Sequence, residues 1–345
     1  MRAAVLSAYK EPLSIENVPD PDCPRDGVVL KVLACGVCRS DWHGWTGEHP
    51  RVKPGQIGGH EYCGEVVAAG PAAQYAIGDR LIAPFILACG ACANCRSGES
   101  NACLDQRLPG FTEPGAFAEF VAVPRDHNLA RLPEGMTPTL AAALGCRVTT
   151  AWHALTDRAA LQPGEWLAIH GTGGVGLAAM LLGIALGARV IVTDIVEEKL
   201  AHARALGAEH AIDASDGASA ERIREVTDGG AHVSVEALGF PATQSASLAC
   251  LRPLGRHVQV GMPVGQHAVQ EVDLNAVYMR NLAIFGPRGM PAHRYPSLLS
   301  LIEAGRADLS PIVAREVRLS DASAELAAFN GATQPGIAVI TDFAA

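Results

Sequence analysis

Trp166-Leu-Ala-Ile-His170 runs straight into Gly171-Thr-Gly-Gly-Val-Gly176 and then into an apolar stretch over residues 177–186. The first segment is compact and apolar, as a strand covered on both faces has to be. Gly-x-Gly-x-x-Gly alone is a weak signal, because 36 glycines make chance matches easy. Here it closes a predicted strand and opens a predicted helix. Gly171, Gly173, Gly174 and Gly176 therefore offer bare backbone to a pyrophosphate at the positive end of that helix. The next apolar run, Arg189-Val-Ile-Val-Thr-Asp194, ends in an acid near the spacing expected of the residue that accepts a bond from a ribose 2′-hydroxyl. A carboxylate there repels a 2′-phosphate, and Ile195 and Val196 add no cation, so NAD is expected in preference to NADP. Lys199, one helical turn further on, is either a second ribose contact or a solvent-facing lysine.

Outward from this unit the rhythm of strand and helix continues. A helix is predicted over about 197–206, then strands at 210–213, 233–236, 257–260 and 282–285. Six strands with helical crossovers make an α/β fold, a doubly wound parallel six-stranded sheet of the Rossmann kind. Upstream, β-type runs at 28–33, 65–68, 78–82 and 115–123 are broken by Pro and Gly. They predict a barrel-like or sandwich-like β domain with its reactive residues in loops. Helical character begins over 136–146, where the domain boundary is expected. After Pro287 come a helix over about 295–304 and β-type runs at 312–313 and 337–340, which are assigned back to the first domain. The expected division is 1–148 with 287–345, and 149–286.

A chain of 345 residues with 49% hydrophobic and 18% charged residues has ample material for two cores. Asp+Glu 36 against Lys+Arg 27 leaves a formal charge of -9, and no basic block offers a face to nucleic acid. The apolar part of the first ten residues is too short for an export signal, and no run reaches membrane-spanning length, so a cytoplasmic protein is expected. Ten cysteines in such a chain read as metal ligands before disulfides. Cys89, Cys92, Cys95 and Cys103 are four thiolate candidates within one Gly-rich lobe. Four sulfurs leave no open position, so a closed structural zinc site is expected; an iron–sulfur cluster and plain buried cysteines are the rival readings.

A second cluster lies in Ala34-Cys-Gly-Val-Cys-Arg-Ser-Asp-Trp-His43, with Gly58-Gly-His-Glu61 and the isolated Cys146 beyond it. Cys38, His60 and Cys146 supply two thiols and an imidazole with a fourth position open to water or substrate, the catalytic zinc set of alcohol dehydrogenase. Asp41 can orient the His60 ring, Glu61 is a candidate outer carboxylate, and Ser40 with His43 can carry a proton. Cys23, Cys35, Cys63 and Cys250 are expected to be buried or partly buried packing. So are His153, His170 and His257, while Trp42 and Trp45 read equally as pocket wall or domain packing.

With these motifs in this order, the chain resembles the zinc-dependent alcohol dehydrogenases of the medium-chain dehydrogenase/reductase superfamily over nearly its whole length. The resemblance implies a GroES-like, β-rich catalytic domain made from both chain ends, a nucleotide domain between them, and two zinc ions per chain. It implies that Arg39 binds the cofactor pyrophosphate, Thr150 and Val175 position the nicotinamide, and Asp194 holds the adenine ribose. Zinc would polarise a primary or secondary alcohol, the proton leaving through Ser40, the cofactor ribose and His43 as hydride passes to NAD, giving an aldehyde or ketone. A polyol or threonine dehydrogenase, or a non-catalytic homologue, is the alternative on the same scaffold. A homo-oligomer, tetramer before dimer, is expected by analogy. His49, Phe85 and Ile284 fall where the family lines its substrate pocket, or else pack in the core. The chain departs from the family at two places. Ile337 stands where many relatives carry an arginine that helps with the pyrophosphate and pairs with the carboxylate corresponding to Asp41, which leaves more to Arg39. Arg147 stands where a small residue is common and is expected to reshape one wall of the cleft.

Overall fold

The computed structural model describes residues 1–331 and 334–344. Its strands in chain order are β1 (Arg2–Val5), β2 (Ser14–Asn17), β3 (Val28–Gly36), β4 (Glu61–Ala69), β5 (Arg80–Ile82), β6 (Phe120–Val123) and β7 (Ala130–Arg131). They continue as β8 (Trp166–His170), β9 (Arg189–Asp194), β10 (His210–Asp213), β11 (Ala231–Glu236), β12 (Leu251–Gln259), β13 (Ala283–Phe285), β14 (Val313–Arg318) and β15 (Ile337–Asp342).

Strands β8 to β13 form one sheet in the spatial order β10-β9-β8-β11-β12-β13, with every neighbouring pair parallel. All five residues of β8 and five of the six in β9 are buried, so neither strand alternates, as expected where helices cover both faces. The crossovers are the helices Gly174–Ala185, Glu197–Ala205, Ser219–Val226, Pro241–Ala249 and Leu274–Arg280. Strand order turns outward in both directions from β8 and β11, which opens a crevice beyond their C-terminal ends. The turn after β8 needs its glycines. Gly171 has φ +94°, and a Cβ on Gly176 would stand 1.9 Å from the Gly171 carbonyl oxygen.

The other large sheet runs β14-β15-β3-β4-β5-β7, with β6 also paired to β3. Its antiparallel core is completed by the far end of the chain, where β15 lies beside β3 with Val339 opposite Gly36 and Ile340 opposite Cys35. Both ends of the chain therefore build the sheet that carries the cysteine-rich stretches. The anticipated boundary at 148/149 falls inside the helix Arg147–His153, which runs on into a π-helical turn, Ala154–Arg158. Residues 332, 333 and 345 of the expected segment 287–345 lie outside the described residues.

One expectation is corrected. The reactive stretch is not all loop, because Arg39–Thr46 is a helix with Cys38 at its N-cap and Gly47 at φ +85° after its last turn. Cys38 and Asp41 form the reciprocal cap that starts it. Among the described residues no helix is long and apolar enough to cross a membrane.

Candidate active site

The residue following Cys38 and the residue following Cys146 each begin a helix. A thiol beside a first helical turn is favoured as thiolate by the unpaired N–H groups there. Asp41 joins this pair to the histidine. Its Oδ2 accepts from the Cys38 backbone N–H at 3.0 Å, while its Oδ1 accepts from His60 Nδ1 at 2.9 Å and from the Gly59 N–H at 3.1 Å. Burial opposes charge on the imidazole, yet the Asp41 carboxylate holds it well above its ordinary range. With Nδ1 committed to Asp41, Nε2 is left as the ligand atom, and it is buried without a hydrogen-bond partner. A proton shared between the sulfurs brings Cys38 well below the usual thiol range and, with burial, pushes Cys146 well above it.

Ligand atoms of Cys38, His60, Glu61 and Cys146 all lie within 4.8 Å of one another. The orphaned imidazole nitrogen, two thiols at helix starts and a carboxylate beside them fit a zinc-like cation. Glu61 is fully buried, and burial raises its carboxyl to about 8 against the pull of Arg147, whose Nη1 lies 2.8 Å from Glu61 Oε2. The family resemblance predicts Arg147 as a cleft wall. It does line the cleft, but it is 5% exposed and its guanidinium turns inward to Glu61 and to the Val37 carbonyl.

The second cysteine set also comes together. Cys92 Sγ is 3.4 Å from Cys95 Sγ and 3.9 Å from Cys103 Sγ, and Cys89 and Cys95 are 3.9 Å apart. A zinc–sulfur tetrahedron has edges of about 3.8 Å. Backbone N–H groups of Ala91 and Cys92 point at Cys89 Sγ, and those of Cys89 and Asp105 at Cys103 Sγ. N–H donors from Leu104 and Cys95 bring the Cys92 thiol down to about 6, while burial pushes Cys95 up to about 12. Four neighbouring thiolates repel, so the set can ionise as a whole only around a cation.

A cleft of about 750 Å³ joins the first metal cluster to the glycine turn. Cys38, His60 and Cys146 line one wall, and Gly173, Gly174 and Val175 the other; Arg39, Ser40, His43, Thr150 and Lys199 also face it. A Cβ on Gly173 would meet nothing within 4 Å, so this backbone is open to a ligand. Ser40 Oγ lies 3.8 Å from Cys38 Sγ. Asp194 stands at the end of β9, but its oxygens already accept from Thr172 N–H and Oγ1 and from the N–H groups of Ile195 and Val196. A ribose hydroxyl would have to share one of those oxygens. His43 Nδ1 lies 2.7 Å from Glu48 Oε2. Glu48 was missed in the sequence, where a surface acid five residues past a histidine carries no motif. Burial lowers the His43 pKa, and the Glu48 bond raises it part of the way back.

The remaining expectations divide. His49 and Phe85 line the cleft, whereas Ile284 is 43% exposed on the edge strand β13 and lies outside it. Trp45 is packed, donating to the Glu11 carbonyl at 2.7 Å, and Trp42 donates to Asn330 Oδ1. Cys35, Cys63 and Cys250 are buried, but Cys23 is exposed, because it lies in the Pro-flanked approach to β3 and not in a sheet. His153 is bonded to Asp157, His170 to Thr193, and His257 to Ser247, as packed histidines require.

Comparison with known proteins agrees with this geometry. A family model described as an alcohol dehydrogenase GroES-like domain matches residues 24–134, and one described as a zinc-binding dehydrogenase matches residues 174–304. An alcohol dehydrogenase of Geobacillus stearothermophilus is 34% identical over 267 residues, 76% of this chain and 78% of its own. A sorbitol dehydrogenase of Bacillus subtilis is 33% identical over 92% of this chain and 90% of its own. The solved structure of an alcohol dehydrogenase from Thermus sp. ATN1 superposes with a TM-score of 0.92 at 30% identity, covering 99% of this chain and 100% of that one.

Elemental analysis of the purified protein should find two zinc ions per chain, one for each cluster. Cys38→Ser should retain one of them, the ion of the Cys89, Cys92, Cys95 and Cys103 set. Cys103→Ser should lower the melting temperature markedly, because that site ties a loop-rich lobe together. Full zinc content in both variants would contradict the assignment.

Proposed function

Because the chain belongs to the zinc-dependent alcohol dehydrogenases of the medium-chain dehydrogenase/reductase superfamily, we propose that it oxidises a primary or secondary alcohol reversibly to an aldehyde or ketone with NAD. The observation that carries this reading is the single cleft shared by the Cys38, His60 and Cys146 cluster and the Gly173-Gly174-Val175 turn. Zinc, when bound there, supplies Lewis-acid polarisation of the alcohol oxygen, and the nicotinamide accepts the hydride.

In this reading the chain's own residues bind, orient and move a proton. Asp41 keeps His60 in the tautomer that presents Nε2. Ser40 and His43 face the cleft and take the alcohol proton toward solvent, with Glu48 holding the proton of His43 on Nδ1. Thr150 and Val175 bound the nicotinamide, Arg39 serves the pyrophosphate, and Lys199 faces the same cleft. The preference for NAD over NADP is supported by Asp194, a carboxylate held in place by four donors at the end of β9. We take residues 1–148 with 287–345 as the catalytic unit and 149–286 as the nucleotide unit. A homo-oligomer, tetramer before dimer, is part of the proposal. Large apolar side chains are exposed at Leu254 in β12, at Val269, and at Leu274, Tyr278 and Met279 in the helix Leu274–Arg280, and light scattering should show a mass above that of one chain. The sorbitol dehydrogenase relative supports a polyol substrate as the second reading.

A panel of simple alcohols, polyols and threonine, followed by reduced-cofactor absorbance, should show turnover with a simple alcohol that Cys38→Ser abolishes. Full turnover in Cys38→Ser protein lacking its second zinc would sink the mechanism, and preference for sorbitol would favour the polyol reading. The kcat/KM for NAD should exceed that for NADP by at least about tenfold, some 1.4 kcal/mol of repulsion. Asp194→Asn should narrow that ratio, and an unchanged ratio would remove Asp194 as the discriminator.

Burial depresses the pKa of His43 and Glu48 partly restores it, so Glu48→Ala leaves burial unopposed. The acid limb of the kcat/KM profile should then move to lower pH. An upward shift would show that the limb belongs to another group.

A further inference from the structure

Arg147 makes more connections across the cleft than a wall residue needs. Its Nη1 pairs with Glu61 Oε2 at 2.8 Å, its Nη2 donates to the Val37 carbonyl, and its backbone N–H donates to Glu61 Oε1 at 3.3 Å. Both side chains of the pair are almost wholly enclosed, at 5% and 0% exposed. The stem of Arg147 lies against the glycine turn: a Cβ on Gly174 would stand 2.6 Å from both its Cδ and its Nε, and 3.2 Å from Ile337 Cγ2. On the opposite side Gly36, which faces Glu61 across β3 and β4, leaves room for the head, since a Cβ there would stand 2.5 Å from Glu61 Oε2 and 3.5 Å from Arg147 Nη1. Two glycines, one at each sheet, are thus hollowed around one ion pair.

Buried ion pairs add little stability over apolar packing of the same volume, so this one calls for another account. The geometry points to Arg147 as the positioning residue that fastens the dinucleotide turn to the metal-site wall and so sets this chain's affinity for its nicotinamide cofactor. The head is anchored in the β-rich sheet and the stem fills the notch at Gly174. The turn is therefore held at one distance from Cys38 and from Cys146, the residue next to Arg147. Without the stem the turn can relax, and cofactor binding must order it again, which weakens affinity without removing a cofactor contact. Ile337 shares the Gly174 surface with Arg147 and carries no charge, so an arginine placed at 337 starts from the same contact.

This inference rests on the reading of the cleft as a nicotinamide site. Fluorescence titration with NADH and NADPH, elemental analysis and thermal melts would be applied to Arg147→Ala, to the uncharged pair Glu61→Gln/Arg147→Met, and to Arg147→Ala/Ile337→Arg. Arg147→Ala should raise the dissociation constant of the favoured cofactor about tenfold and its KM in step, with kcat changed far less and zinc content intact. Ile337→Arg in that background should recover most of the loss. The uncharged pair, which leaves no buried charge unpaired, should show the same weakening even if Arg147→Ala does not fold. Affinity within about twofold of the parent in Arg147→Ala or, where that variant does not fold, in the uncharged pair would overturn the proposal. A melt cycle provides a readout free of cofactor: Gly174→Ala should lower the melting temperature in the parent and much less in the Arg147→Ala background. Additive effects would overturn the packing contact. If the parent binds neither NADH nor NADPH, the cofactor reading fails, while the melt cycle still decides the contact.

Discussion

Charge buried without compensation is the constraint around which this molecule is arranged. Cys38, Asp41, His60, Glu61 and Arg147 bring two acids, a thiol, an imidazole and a guanidinium out of water at the meeting of the two sheets. Each is accounted for by its neighbours. Asp41 is satisfied by two backbone N–H groups and His60 Nδ1, while Glu61 Oε2 and Arg147 Nη1 neutralise each other as an ion pair at 2.8 Å without forming a hydrogen bond. The sulfurs of Cys38 and Cys146 and the free Nε2 of His60 remain as a ligand set aimed at a cation. Removing one partner would strand its neighbour in a low-dielectric interior, which costs about 3–5 kcal/mol for a buried pair. The geometry of the site is held because each alternative leaves a charge unpaired.

The glycine turn is subject to a steric version of the same constraint. Gly176 touches the Gly171 carbonyl, Gly174 receives the Arg147 stem, and Gly173 is left open to the cleft. Three glycines in one motif therefore have three separate jobs, and Gly173 is the one whose backbone has open space above it. The parallel sheet beneath supplies the rigid edge from which this turn projects, and β9 carries Asp194 to the same edge.

The nucleotide sheet was legible in the sequence because its information is local. Each strand is a short apolar run followed by a turn, and all six appear in the structure, β12 starting six residues earlier than its apolar core suggests. The lobe of Cys89, Cys92, Cys95 and Cys103 was legible because its close spacing limits what four thiols can do, and the Cys38, His60 and Cys146 set because it matches a known zinc ligand set. Other contacts across long sequence separations were not. Arg147 meets Glu61 across 86 residues, so its inward turn could not be seen beside its neighbour Cys146. The helix Arg39–Thr46 was read as loop because it is short and contains Gly44, although the Cys38-x-x-Asp41 cap was a usable signal. Ile284, expected either in the pocket or in the core, is in neither, because β13 is an edge strand and leaves that side chain 43% exposed.

In the proposed arrangement one cleft holds a metal at Cys38, His60 and Cys146 facing a nicotinamide seated on the Gly173-Gly174-Val175 turn. Diffraction from crystals grown with NADH, recorded on both sides of the zinc absorption edge, should show two anomalous peaks per chain. One should lie among Cys89, Cys92, Cys95 and Cys103 and the other among Cys38, His60 and Cys146, with the nicotinamide ring in the cleft beside the second. A missing second peak, or a nicotinamide bound away from it, would rule the arrangement out.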